Sequence, residues 1–168
     1  MQSGGQAQQG LSELHQGLDN ALEFMQGANA DETLTAIREA IRSGLYLSRT
    51  HEQVMDGTNE ILEFGGHSQY ITGEVKQLQT LAANELSLVA GLNLLSDRLW
   101  ELGQNQMHVD PKTVWRLNAA GDAFERSARA LEDRKPSFAV PIQTQGLADL
   151  NQAISDLLKA MNQMNMQM

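Results

Sequence analysis

Between Leu78 and Leu102 the chain leaves itself little choice of fold. Leu78, Leu81, Glu85, Leu88, Leu92, Leu95, Leu99 and Leu102 follow one another at alternating steps of three and four. That spacing puts one side chain per turn on the same face of an α-helix, and no strand reproduces it. The segment predicts a helix from about Ser68 to Gln106. At 1.5 Å per residue it is about 60 Å long, and a leucine stripe of that length must pack along other helices.

The rest of the chain repeats the pattern. Leu11, Leu14, Leu18, Ala21 and Met25 form a first helical face from about Gly10 to Gln26. GANAD (27–31) predicts a break, with Asp31 as N-cap of a second helix from about Glu32 to Phe64. Leu34, Ile37, Ile41, Leu47, Val54 and Ile61 carry that helix, with Met55 and Leu62 beside the seam. Gly44 and Gly57 each weaken it by about 1 kcal/mol relative to Ala. GGH (65–67) ends it. Past the leucine segment, HVDP predicts an N-cap at Asp110 with Pro111 in the first helical position. Val114, Leu117, Gly121, Phe124, Ala128 and Leu131 follow, and EDRKP closes this helix near Arg134. Pro136 and Pro141 bracket a connection or an irregular first turn. Leu147, Leu150, Ile154, Leu157, Met161, Met164 and Met168 then hold a last seam to the final residue.

The expected fold is all-α: an antiparallel helical bundle of four to five helices, with coiled-coil-like packing and one long central helix. Residues 1–10, rich in Gln and Gly, read as a flexible tail, and 11–168 as a single helical domain. With 168 residues the chain is long enough to build one core. Its net charge of -9 disfavours nucleic acid and anionic membrane surfaces as partners. The lack of cysteine excludes disulfides and thiolate metal sites. No stretch is apolar enough to span a bilayer, and MQSGGQAQQG has neither the basic region nor the apolar core of a signal peptide.

Few residues suggest chemistry. Met161, Met164, Met166 and Met168 supply M-x-x-M and M-x-M, thioether spacings that suit Cu(I). Three of the four lie on the seam, however, and the neighbouring Asn and Gln are poor copper ligands, so packing is the preferred reading. His15, His51, His67 and His108 include no H-E-x-x-H or E-x-x-H pair and read as surface or turn residues, although His51 falls on one possible seam. Glu85 interrupts the leucines. Either it pairs with an Arg from a neighbouring helix, or the seam turns outward there, or it is a buried functional acid. Trp100 and Trp115 flank HVDP and are expected to pack its corner. The mixed charges of 116–135 read as a solvated face with pairs along one helix. No phosphate loop, dinucleotide fingerprint or nucleophile elbow is present, so no catalytic residue, cofactor or enzymatic activity is expected.

Four stretches resemble a family of large bacterial membrane-anchored proteins of unknown function, with a long Gln- and Met-rich helical soluble region. These are YLSRTHEQVMDGT (46–58), LWELGQNQMHVDP (99–111), AFERSARALEDRKP (123–136) and QTQGLADLNQAISDLLKAMNQM (143–164). The likeness spans roughly residues 40–168. Gly146 departs from it where a helix former is expected, and GQNQMH replaces a more basic, aromatic lead into the turn. The resemblance implies a missing membrane anchor and a low-complexity continuation past Met168; the expected location is a soluble segment of a bacterial envelope protein, with the periplasmic side favoured over the cytoplasmic one. It supplies no catalytic residues. The function expected is a non-enzymatic scaffold or protein-interaction domain. It would bind a protein partner or its own copies through the stripe of Leu150, Ile154, Leu157, Met161 and Met164. Cu(I) handling by the terminal methionines is the alternative.

Overall fold

The computed structural model describes the backbone of residues 3–65, 69–105 and 109–167, with side chains described for 29–65, 69–104 and 109–167. Among the described residues there are four α-helices: α1 (Ser3–Phe64), α2 (Thr72–Asn105), α3 (Pro111–Glu132) and α4 (Pro136–Gln167). The chain divides into two compact units, Met1–Ala36 and Ile37–Met168.

The first unit is the leading part of α1. The helix already begins at Ser3, within the stretch read as a tail, and it runs through 27–31 without the expected break. The reason is local. A single Gly costs about 1 kcal/mol, Ala28 and Ala30 are strong helix formers, and no proline intervenes. Asp31 therefore caps nothing, and Thr33 Oγ1 instead donates back to the Asn29 carbonyl at 2.7 Å. The two expected N-terminal helices are one, and α1 rather than α2 is the longest element. The seam side chains Leu11 to Met25 lie outside the described residues.

The second unit is an antiparallel four-helix bundle. α1 lies between α2 and α4, with Ser48 Oγ donating to Asn151 Oδ1 of α4 at 2.7 Å. α3 closes the ring against α2 and α4. Ser96 Oγ of α2 donates to Asn118 Oδ1 of α3 at 2.7 Å, and Arg116 of α3 pairs with Asp156 of α4. The predicted seams supply the core. Leu78, Leu88, Leu92, Leu95 and Leu99 are buried, as are Val114, Leu117, Phe124, Ala128 and Leu131.

The ends follow cap chemistry. Asp110 accepts from Lys112 N at 2.9 Å, with Pro111 next to it, as the sequence predicts. Glu74 Oε2 reaches back to Ile71 N at 2.9 Å to start α2. α3 stops in a Schellman motif: Lys135 N bonds Ala130 O at 2.8 Å and Arg134 N bonds Leu131 O at 3.0 Å. The motif needs a left-handed residue, and Arg134 supplies it at φ 59. A side chain there is strained, so Arg134→Gly is expected to raise stability by about 0.5–1 kcal/mol. Thermal denaturation checks it, and a lower melting temperature would contradict the strain. Pro136 opens α4, and the helix continues through Pro141, whose position and that of Ser137 one turn earlier are exposed. The missing N–H therefore falls on the solvent side.

The glycines that weaken isolated helices are receiving sites here. A Cβ at Gly44 would meet Ile154 at 2.9 Å, one at Gly57 would meet Leu81 at 2.9 Å, and one at Gly91 would meet Leu47 at 2.8 Å. Each glycine takes the tip of a branched side chain from the neighbouring helix.

Candidate functional site

Glu85 neither turns outward nor meets an arginine. It sits in the centre of the bundle in a polar layer to which all four helices contribute: His51 and Thr58 from α1, Glu85 from α2, Ser127 from α3 and Gln143 from α4. Each of the five is 0% exposed. His51 therefore departs from the surface reading of the histidines. The antiparallel pairing of α1 with α2 brings it to the level of Glu85. His67, His108 and the side chain of His15 lie outside the described residues.

The hydrogen bonds assign the protons. His51 Nε2 lies 3.1 Å from the Gln143 backbone carbonyl, which only accepts, so Nε2 carries a hydrogen. His51 Nδ1 lies 3.1 Å from Glu85 Oε2, and one proton is shared across that contact. With the proton on either atom the pair has no net charge. Glu85 Oε1 accepts from Ser127 Oγ at 2.8 Å and from Gln143 Nε2 at 2.9 Å. Gln143 Nε2 also donates to Thr58 Oγ1 at 3.1 Å, and Thr58 donates on to the Val54 carbonyl at 2.9 Å. These acceptors fix the orientation of the Gln143 amide. Its Oε1 is left buried with no hydrogen-bond partner among the described residues, which costs about 1–3 kcal/mol. The His51 ring stacks on Phe124, with centroids 3.8 Å apart and planes 19° from parallel.

The layer is sealed. None of its five side chains lines a groove described here. Burial of all five side chains ties the layer to one arrangement of the helices. Any slip of one helix would strand a carboxylate or an imidazole in the core.

The terminal methionines separate. Met164 is buried at 3% exposure, while Met166, two positions on, is 80% exposed. Met161 is partly buried, and Met168 lies outside the described residues. The buried and exposed thioethers thus face apart on α4, which does not favour a shared Cu(I) site. Nor is there a group of three or more His, Asp or Glu able to hold a metal among the described residues.

The stripe expected to meet a partner is also committed. Leu150, Ile154, Leu157 and Met164 are buried within the bundle, because α1 and α3 already cover that face of α4. Met161 is only partly covered. Trp100 and Trp115 depart from expectation too: they are 50% and 64% exposed, while Val109 between them in sequence is buried. The mixed charges of α3 behave as expected, with Arg129 paired to Glu125 one turn away.

Open apolar surface lies elsewhere, at the end of the bundle where α1 finishes and α2 begins. A groove of about 580 Å³ runs between them. Gly57, Glu60, Ile61 and Phe64 form its α1 wall, at the i, i+3, i+4, i+7 spacing of one helix face. Gly73, Glu74, Lys76, Gln77 and Thr80 line the α2 side, with Leu81 beneath. Phe64 is 79% exposed at its lip. No helix among the described residues is long and apolar enough to cross a membrane.

No family model, curated protein or solved structure matches this chain.

Proposed function

We propose that the chain is a non-enzymatic helical interaction module that presents the α1–α2 groove to a partner protein. The observation that carries this reading is Phe64. A large aromatic side chain held mostly in water at the lip of a preformed groove suits an anchor for a second protein. The polar layer supports it indirectly, since a bundle locked in one register keeps the groove walls at a fixed separation. The resemblance to the soluble region of membrane-anchored bacterial proteins supports an envelope location facing the periplasm.

Peptide display against the immobilised full chain tests the reading. Enriched peptides are expected to lose about tenfold or more in affinity on Phe64→Ser, with the helical circular dichroism unchanged. Enrichment confined to peptides that ignore the substitution would refute the groove.

A further inference from the structure

Resting on that reading, we infer that the occupant of the α1–α2 groove is a basic amphipathic helix, with lysine or arginine flanking an apolar face. The groove sets the geometry. Its α1 wall runs from Gly57 to Phe64, about two helical turns or 10 Å, which matches a partner helix presenting anchors at i, i+3 or i+4, and i+7. The α2 wall gives room at Gly73, where an added Cβ would meet nothing within 4 Å.

The charge pattern then selects the partner. From Thr50 to Phe64, α1 carries Glu52, Asp56, Glu60 and Glu63 and no lysine or arginine. Steps of four, four and three put these acids along one face, and all four are exposed. None makes an ion pair among the described residues. Glu60 stands in the groove wall itself, Asp56 and Glu63 lie next to it along α1, and the α2 wall adds Glu74 and Lys76. The groove and its α1 border thus carry Asp56, Glu60, Glu63 and Glu74 against Lys76, an excess of negative charge beside an unfilled apolar slot. Cations flanking the partner's apolar face would meet this stripe.

The same pattern disfavours two other occupants. A second copy docking by the same surface would oppose stripe to stripe on chains of net charge -9 each. An anionic lipid surface would be repelled in the same way.

The test uses the full chain and two labelled synthetic helices with the same leucine face. One carries lysine and arginine on its polar face and the other glutamate. Fluorescence anisotropy is read for the wild type, for Phe64→Ser, and for the combined Asp56→Asn, Glu60→Gln, Glu63→Gln variant. The basic helix is expected to bind at least about tenfold tighter than the acidic one. Its affinity should fall about tenfold in the charge variant and fall further at about 0.3 M salt. Phe64→Ser should abolish it. Equal binding of both helices, lost on Phe64→Ser, overturns the basic partner and leaves the groove as an interaction surface. Binding that ignores Phe64→Ser overturns both. No binding of either helix overturns the basic partner, and the groove then stands or falls on the display experiment.

Discussion

Glu85→Ala is expected to remove about 3–5 kcal/mol of folding stability, and Glu85→Gln less than about 1.5 kcal/mol. The contrast follows from how the protons are placed. Alanine leaves His51 Nδ1, the Ser127 hydroxyl and one hydrogen of the Gln143 amide without their partner, all at sites with no exposure. It also opens a cavity. Glutamine at 85 has the same shape. Its oxygen accepts from Ser127 and Gln143 as Oε1 does now, and its amide nitrogen donates to Nδ1 of a neutral imidazole. The shared proton is replaced by one held covalently. Against a total of 5–15 kcal/mol typical of a domain, the alanine variant loses a large fraction, roughly ten degrees or more in melting temperature. Urea denaturation followed by circular dichroism measures both. If glutamine is as damaging as alanine, the layer requires an imidazolium facing a carboxylate, and the proton resides on His51. If alanine loses less than about 1 kcal/mol, the layer is not sealed and does not hold the register.

The second large effect is at Gly146. Alanine in the middle of a helix normally gains about 1 kcal/mol over glycine. Here its Cβ would stand 2.6 Å from Phe124 Cε1, 2.8 Å from Cδ1 and 3.0 Å from Ala123 Cβ. The Phe124 ring is rigid, fully buried and stacked on His51, so it cannot withdraw without disturbing the polar layer. Overpacking of this kind costs about 1–3 kcal/mol, so after the helix-propensity gain Gly146→Ala is expected to destabilise by up to about 2 kcal/mol net and Gly146→Leu by more than about 3 kcal/mol. Gly73→Ala is the control, since open space surrounds it, and it is expected to stabilise by about 0.5 kcal/mol. Opposite signs at the two glycines would show that the close approach of α3 and α4 decides the matter. A stabilising Gly146→Ala would mean the two helices separate easily. Combining Gly146→Ala with Glu85→Ala should give a loss different from the sum, because Phe124 and His51 link the two sites.

Much of this was legible in the residues. The seams from Leu78 to Leu99 and from Val114 to Leu131 are local patterns, and a period of three and four survives into any helical fold. The Asp110 cap is equally local, because its side chain bonds a backbone N–H two residues away. The expected break at 27–31 failed for a related reason. One glycine among alanines is a weak signal, and the unbroken helix outweighs it.

The polar layer left partial signals. Thr58 lies between Val54 and Ile61 on the α1 seam, Ser127 falls seven residues after Ala120, and Gln143 falls seven before Leu150. Each therefore sits on a core face. Periodicity singled out Glu85 and His51 on apolar stripes and passed over Thr58, Ser127 and Gln143, and it carried no information on whether they meet. That was decided by the antiparallel register of four helices, which brings residues 34, 42, 58 and 92 positions apart to hydrogen-bonding distance. The same non-local packing turned the stripe on α4 from a surface into a core and filled the glycine positions with neighbouring side chains. It also left Phe64 and the acidic face of α1 uncovered. A helix face is a property of its own sequence; which other face covers it is a property of the assembled bundle.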